Sequence, residues 1–129
     1  MLKVVKYLLK MTEPNYNNEY KCGAQANIDW VAGGNFTGYI FNKSILFKKE
    51  NKQVIIKKHI INHGTNDGQL PDSETIGSYE FTDKDTITVK CKDFTMRGKI
   101  LGKEKVLIAF SVYQPQLKCE VSEVYQLVQ

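Results

Sequence analysis

Arginine is almost absent from this sequence, although its net charge is +4. Arg97 is the only arginine, so lysine supplies nearly all of the positive charge. Recognition of bases and phosphates depends strongly on the guanidinium group, which can hold two acceptor atoms at once. The composition therefore counts against sequence-specific readout of nucleic acid.

The motifs that identify many enzymes and metal proteins are missing too. There is no glycine-rich phosphate loop, no Gly-x-Ser-x-Gly, no His-Glu-x-x-His and no zinc-type spacing of Cys and His. We therefore expect no cofactor and no bound metal, and we expect a binding function rather than catalysis. An enzyme would have to use Asp29, His59 or Glu123.

Cysteine is limited to Cys22, Cys91 and Cys119, an odd number without a Cys-x-x-Cys spacing. We interpret these residues as small buried hydrophobic side chains in a reducing compartment. The alternative is a secreted protein in which Cys119 is bonded to Cys22 or Cys91. The first residues do not resemble a signal peptide, because Lys6 and Lys10 interrupt the apolar run. A cytoplasmic location is therefore favoured.

The composition gives no sign of disorder or of a membrane span, since 42% of the residues are hydrophobic and 25% are charged. A chain of 129 residues is expected to form one domain, residues 1–129. Such a domain buries roughly two-thirds of its unfolded surface, so its core needs no disulfide or metal.

What the sequence does contain is a pattern of β-strands, clearest in residues 85–113. Apolar and polar residues alternate in Thr86–Cys91, as in a strand with one face in solvent. A turn at Lys92–Asp93 and another at Gly102 divide the stretch into three strands. The third strand, Val106–Tyr113, is apolar at nearly every position, which predicts a strand that is covered on both faces or lies centrally in the sheet. The residues predicted to face solvent are Thr88, Lys90, Thr95, Arg97 and Lys99.

Similar short strands recur along the rest of residues 20–129. Eight to ten strands joined by short turns predict an all-β, mainly antiparallel domain, either an up-and-down barrel or a sandwich. We favour the barrel, because consecutive strands joined by short turns close without long crossovers. Residues 1–12 have lysines on one helical face and apolar residues on the other, which predicts a short amphipathic helix packed on the sheet.

The longest turn-rich segment, Asn62–Ser73, is the first place to look for a binding site. His59, His63 and Asp67 lie in or beside it, but a strand that enters a turn does not put the two histidines on one face, so a metal site is not favoured. Glu123 falls in the inward-facing set of the last strand and is expected to bind a ligand group or to join a buried network. The predicted ligand- or partner-binding residues are Trp30, Tyr39, His59, His63, Asp67, Tyr79 and Glu123.

Lysines cluster on one predicted hairpin, where a basic strip could follow a phosphate backbone. Lysines on an exposed hairpin also protect a sheet edge from aggregation, which is the alternative interpretation. The predicted basic patch consists of Lys48, Lys49, Lys52, Lys57 and Lys58.

Aromatic residues are more numerous than a small barrel interior requires, with seven Tyr and six Phe. Some of them should therefore face a ligand cavity, a protein partner or a homodimer interface. The sequence predicts a non-enzymatic barrel that recognises a small ligand or a protein partner, as an inhibitor or immunity-type protein does. The alternative is a barrel that binds single-stranded nucleic acid through the lysine hairpin.

Overall fold

The computed structural model describes residues 11–30, 36–63, 71–102, 104–114 and 117–128, with the backbone alone for residues 26–30, 36, 37 and 114. The predicted helix, residues 1–12, lies outside these ranges except for Met11 and Thr12, which are not helical. No helix within these ranges has the length and hydropathy that crossing a membrane requires.

Eight antiparallel strands account for nearly all of the regular structure that is described. They are β1 (Glu19–Trp30), β2 (Phe36–Lys48), β3 (Gln53–Asn62), β4 (Ser73–Asp83), β5 (Thr86–Lys90), β6 (Thr95–Leu101), β7 (Leu107–Gln114) and β8 (Cys119–Leu127).

The strands form a closed up-and-down barrel in chain order, in which β8 pairs with β1. The sequence-based preference for an all-β barrel over a sandwich is thus confirmed, with eight strands. Closure gives most backbone groups of the sheet a partner, because no strand is left as a free edge along its whole length.

Alternation of side chains fills the barrel interior, as the pattern in β5 and β6 predicts. Ile87 and Val89 on β5 and Ile100 on β6 are buried. Gly98 on β6 leaves the space that the ring of Phe110 occupies, since a Cβ atom at Gly98 would lie 2.5 Å from Phe110 Cε1. The interior is therefore packed tightly around its middle.

Of the two alternatives predicted for Val106–Tyr113, the central position is the correct one, because β7 pairs with both β6 and β8. The strand is not covered on both faces, since Tyr113 is 58% exposed while Ile108 is fully buried. Thr88, predicted to face solvent, is buried, and its hydroxyl lies 3.0 Å from that of Thr82. The hydrogen bond between the two hydroxyl groups gives this burial a polar partner.

The cysteines are all free thiols. Cys22 and Cys91 are half-buried and pack against the core, in line with the interpretation as small hydrophobic side chains, whereas Cys119 is exposed and departs from it. Burial raises the pKa of the Cys91 thiol, so this group stays protonated and weakly reactive.

One end of the barrel, which we call the tyrosine end, is packed by Tyr16, Tyr20 and Tyr79. The chain before β1 runs across this end, where the amide of Thr12 donates to the carbonyl of Lys84 at 2.6 Å. Tyr20 is fully buried, and its hydroxyl donates to the carbonyl of Lys105 at 2.7 Å. We call the opposite end of the barrel the loop end. The β1–β2, β3–β4, β5–β6 and β7–β8 connections lie there.

The seam between β1 and β8 is short. It contains three residue pairs, from Tyr20–Leu127 to Cys22–Tyr125, whereas β7 and β8 share eight. A bulge follows Cys22 and shifts the register of β1 against β2. Beyond this point β1 and β8 are joined by side chains, which belong to the site described next.

Candidate functional site

Three charged side chains face the barrel interior near the loop end. Lys43 lies on β2 in the same alternating set as Phe41 and Ile45, both of which are buried. Lys58 shares the inward set of β3, and Glu123 shares that of β8. Charged residues are rarely found at inward positions of a small barrel unless they are paired or bind something.

Glu123 is buried, with 5% of its side chain exposed, and accepts three hydrogen bonds. Gln25 Nε2 donates to Oε2 at 2.7 Å, Lys43 Nζ donates to Oε2 at 3.3 Å, and the hydroxyl of Tyr125 donates to Oε1 at 3.3 Å. These bonds compensate the lost hydration of the carboxylate. They also join β8 to β1 and β2 beyond the last backbone pair of the seam.

The Tyr125 hydroxyl is held in its protonated form. Burial raises its pKa well above the ordinary value, and the charge of Glu123 raises it further. The phenol therefore acts as a donor to Glu123 and not as a proton carrier near neutral pH.

Lys58 has a different partner from Lys43. Its Nζ atom lies 4.3 Å from the centroid of the Phe41 ring, while that of Lys43 lies 5.9 Å from the same ring. Among the residues that the structure describes, no carboxylate lies within ion-pair distance of Lys58. A cation over an aromatic face is stabilised by the ring quadrupole but keeps its charge and its hydrogen-bond donors.

A cavity of about 140 Å³ lies between these lysines and the apolar interior. Lys58 and Ile56 line it from β3, and Met96 from β6, with Phe94 just before that strand. Tyr125 contributes from β8, and its ring packs edge-on against Phe110 at 5.5 Å between centroids. The hydroxyl-bearing residues Ser73 and Thr75 line it from β4, and Lys43 lines it from β2.

His59 and Asp72 connect the end of β3 to the residue before β4. His59 Nδ1 lies 2.7 Å from Asp72 Oδ2, and Asp72 Oδ1 accepts from the amide of Ile60 at 2.9 Å. The hydrogen bond with His59 and that from Ile60 hold the pKa of Asp72 below its ordinary value. This contact, which we call the His59–Asp72 clasp, ties together the two sides of the β3–β4 connection. Both residues line the groove on the outer face of the barrel, which is described next, and not the interior cavity.

A second cavity, of about 410 Å³, lies on the outer face of β1–β4. Lys21, Ser44, Lys57 and Glu74 form a row of cross-strand neighbours along it. Charges of both signs occur there and lie in solvent, where each pair contributes little. This outer groove is therefore a weaker candidate than the interior cavity.

Four predicted site residues lie at the loop end: Glu123, His59, Tyr39 and His63. Glu123 is buried in the network described above, and His59 is exposed and bound to Asp72. The Tyr39 ring meets the His63 ring edge-on, with 5.9 Å between the centroids. Within the described ranges, no three His, Cys, Asp or Glu side chains are grouped as metal ligands.

The other predicted site residues are not brought to the cavity. Tyr79 is buried at the tyrosine end, where its hydroxyl donates to the carbonyl of Lys48 at 2.7 Å and burial raises its pKa. Trp30 ends β1 with its backbone alone described, and Asp67 lies outside the described residues, as does the rest of residues 64–70. The side chain of Asp29 is likewise not described.

The structure divides the predicted basic patch. Lys48, Lys49 and Lys52 lie exposed at the β2–β3 turn, at the tyrosine end. Lys57 points outward from β3, and Lys58 points inward. The five lysines therefore do not form one continuous surface.

Lys43 and Gln25 are site residues that sequence reasoning missed. The signal for Lys43 was present, because it stands two residues from Phe41 and from Ile45 in the inward set of β2. Gln25 was hidden by the bulge after Cys22, which changes which residues of β1 face inward.

A functional interpretation of this chain therefore rests on Glu123, Lys43, Lys58 and the cavity beside them. Comparisons with protein families, with curated proteins and with solved structures found no match.

Proposed function

We propose that this protein is a binding module that holds a small molecule inside the loop end of its barrel. The observation that carries the proposal is the 140 Å³ cavity beside Lys43 and Lys58. Eight-stranded barrels have interiors of a size that side chains fill or that one small ligand occupies. Here the tyrosine end is filled, and the cavity lies towards the loop end.

The polar groups around the cavity support binding rather than catalysis. Glu123 is bonded to two residues that line the cavity, Lys43 and Tyr125, and already accepts three hydrogen bonds, of which the one from Lys43 is also an ion pair. The Tyr125 phenol is kept protonated by burial. A general base needs a free acceptor within reach of its substrate, and neither group offers one.

Binding of single-stranded nucleic acid, the alternative, has less support. Backbone-tracking proteins use a continuous basic groove with exposed aromatic rings. The lysines proposed for that role lie at opposite ends and on opposite faces of β3, and the Phe41 ring beside Lys58 is buried. Recognition of a protein partner, as an inhibitor or within a homodimer, stays a prediction from the sequence.

Native mass spectrometry of the protein purified from its own source tests the proposal. We expect a bound small molecule, which Met96→Phe should displace, because the larger ring fills the cavity that Met96 lines. The matched control is Val124→Phe on the outer face of β8, where the residue is 46% exposed, and it should retain the ligand. Retention of the ligand by Met96→Phe, or loss of it from both variants, would contradict an interior site.

A further inference from the structure

We infer that the ligand is a small molecule with an apolar body about the size of a benzene ring and one anionic group, which pairs with Lys58. The inference rests on the proposed function, since it names the chemical class that the interior cavity accepts. Charge, size and the distribution of lining groups each lead to it.

The charges beside the cavity indicate that the ligand is an anion. The single negative charge of Glu123 is matched by Lys43 at 3.3 Å, so these two groups cancel. Lys58 then remains as the positive charge of the cavity, with the face of Phe41 as its contact and no carboxylate within reach among the described residues. Bringing an ammonium group into a partly apolar site is unfavourable unless an anion accompanies it. A ligand carboxylate or similar anion supplies that partner.

The volume of the cavity indicates the size of the ligand body that it encloses. A space of about 140 Å³ is close to the engineered cavity of roughly 150 Å³ that binds benzene in another protein. A long-chain fatty acid or a nucleotide would extend out of the cavity, which opens to solvent beside the exposed Ser73 and Phe94, since typical sites for drug-sized ligands measure about 300–1,000 Å³. The ligand is therefore an aromatic or branched short-chain anion.

Polar and apolar side chains line different sides of the cavity. Lys58 enters from β3 and Ser73 from β4, which are adjacent strands, whereas Met96 enters from β6 and Tyr125 from β8. An anionic group near Lys58 and Ser73 would leave the ligand body against the thioether and the ring. Polarisable Met side chains pack well on flat apolar ligands.

Lys43 also lines the cavity, but we assign the ligand anion to Lys58, because the charge of Lys43 is already matched by Glu123. Its ammonium is engaged by Glu123, which in turn is held by Gln25 and Tyr125. A second free cation would favour a dianion such as a phosphate ester. With one free cation, a monoanion matches the site better.

The test compares three probes of one size with wild-type protein: benzoate, benzyl alcohol and benzylammonium. Binding is measured by titration of the Met96 and Ile56 methyl signals in NMR spectra. We expect benzoate to bind at least about tenfold more tightly than benzyl alcohol, because a charge-assisted hydrogen bond adds to the shared apolar contact. Benzylammonium should bind most weakly, since it repeats the charge of Lys58.

The variants Lys58→Met and Lys57→Met provide a matched pair, because they remove the same charge from neighbouring positions on opposite faces of β3. Lys58→Met should weaken benzoate at least about tenfold and leave benzyl alcohol unchanged, whereas Lys57→Met should change neither. If both variants lose the same affinity for benzoate, the net charge of the protein and not contact with Lys58 controls binding, and the inference is overturned.

The two proposals fail in different ways. If benzyl alcohol binds in the cavity as tightly as benzoate, the interior site stands and the anionic class is wrong. If benzylammonium binds most tightly, the ligand is a cation and the inferred sign of its charge is wrong. If none of the three probes shifts the Met96 and Ile56 signals, the size and charge class are overturned, while a ligand retained by the purified protein would still support the interior site.

Discussion

At the scale of single residues, Glu123 organises the loop end. It is a buried carboxylate whose three donors come from three strands, so it fixes the distance between strands that share no backbone hydrogen bond at that level. A satisfied polar network of this kind defines one arrangement of the side chains around it. The same network leaves Lys58 as the free cation of the cavity among the described residues.

Glu123→Ala should lower the free energy of unfolding by about 3 kcal/mol, the lower end of the cost of breaking a buried ion pair. The lower end applies because Lys43 keeps 26% of its side chain exposed and recovers some hydration. Chemical denaturation measures the change. The double variant with Lys43→Met should regain part of the free energy of unfolding that Glu123→Ala loses, because no cation is then left unpaired. Additive losses would show that the two groups do not interact.

Gly98→Ala should destabilise the barrel by about 1–3 kcal/mol, because the added methyl group would overlap the Phe110 ring. Gly23→Ala is the matched control in β1, where an added Cβ meets nothing within 4 Å, and we expect a change within about 0.5 kcal/mol. Thermal or urea unfolding distinguishes them. Equal stability of the two variants would mean that Phe110 moves aside without cost.

At the scale of elements, the strand pattern could be predicted from the sequence and the details of burial could not. The alternation in β5 and β6 identified their inward residues, because a strand with one wet face has a period of two. The parity of Glu123 was predicted in the same way. The prediction failed where a bulge shifts the alternation, as before Gln25, and where a hydroxyl pair buries an outward residue, as at Thr88. Bulges leave no reliable mark in a single sequence.

The segment before β1 stabilises the tyrosine end through Tyr20. Its hydroxyl donates to the carbonyl of Lys105 and accepts from the amide of Asn15 at 2.9 Å. Tyr20→Phe should therefore cost about 1–3 kcal/mol of stability, since two buried polar groups lose a partner. Tyr113→Phe, at an exposed position, serves as the control and should have little effect.

The same variant separates stability from binding. The affinity of Tyr20→Phe for benzoate should equal that of the wild-type protein, because Tyr20 lies at the end opposite the cavity. A large loss of affinity in a folded Tyr20→Phe protein would show that the two ends are coupled.

The His59–Asp72 clasp makes a pH-dependent contribution to the loop end. The folded-state pKa of Asp72 lies below the ordinary value of 3.8. Its ionised form is thus favoured by folding, so the stabilisation is fully present above pH 3.8 and is lost as the pH falls through the folded-state pKa. The Asp72 carboxyl carbon should titrate below pH 3.8 in NMR spectra of the wild-type protein, and its midpoint should rise in His59→Ala. Equal midpoints would show that His59 does not act on Asp72.

At the scale of the whole molecule, the two ends of the barrel are packed differently. The tyrosine end is packed by aromatic rings, with Phe47 and Tyr79 meeting edge-on at 5.3 Å between centroids. The loop end contains the buried ion pair, the cavity and the clasp.

Sequence reasoning predicted a binding barrel and looked to the Asn62–Ser73 loop and the lysine hairpin. It did not find the cavity, although alternation in β3 puts Lys58 in the same set as Ile56. The cavity also depends on side chains from other strands, such as Met96 and Tyr125, and a single sequence does not show which of them meet.

The position of bound benzoate is the most direct test of whether a ligand binds inside the barrel. In a benzoate titration followed by methyl NMR, the signals of Met96 and Ile56 should shift with one common affinity, because both residues line the cavity. The signals of Ile87 and Ile100, which lie in the interior towards the tyrosine end, should stay in place. Shifts confined to exposed methyl groups such as those of Val124 and Leu117, with Met96 and Ile56 unchanged at saturation, would contradict binding inside the barrel.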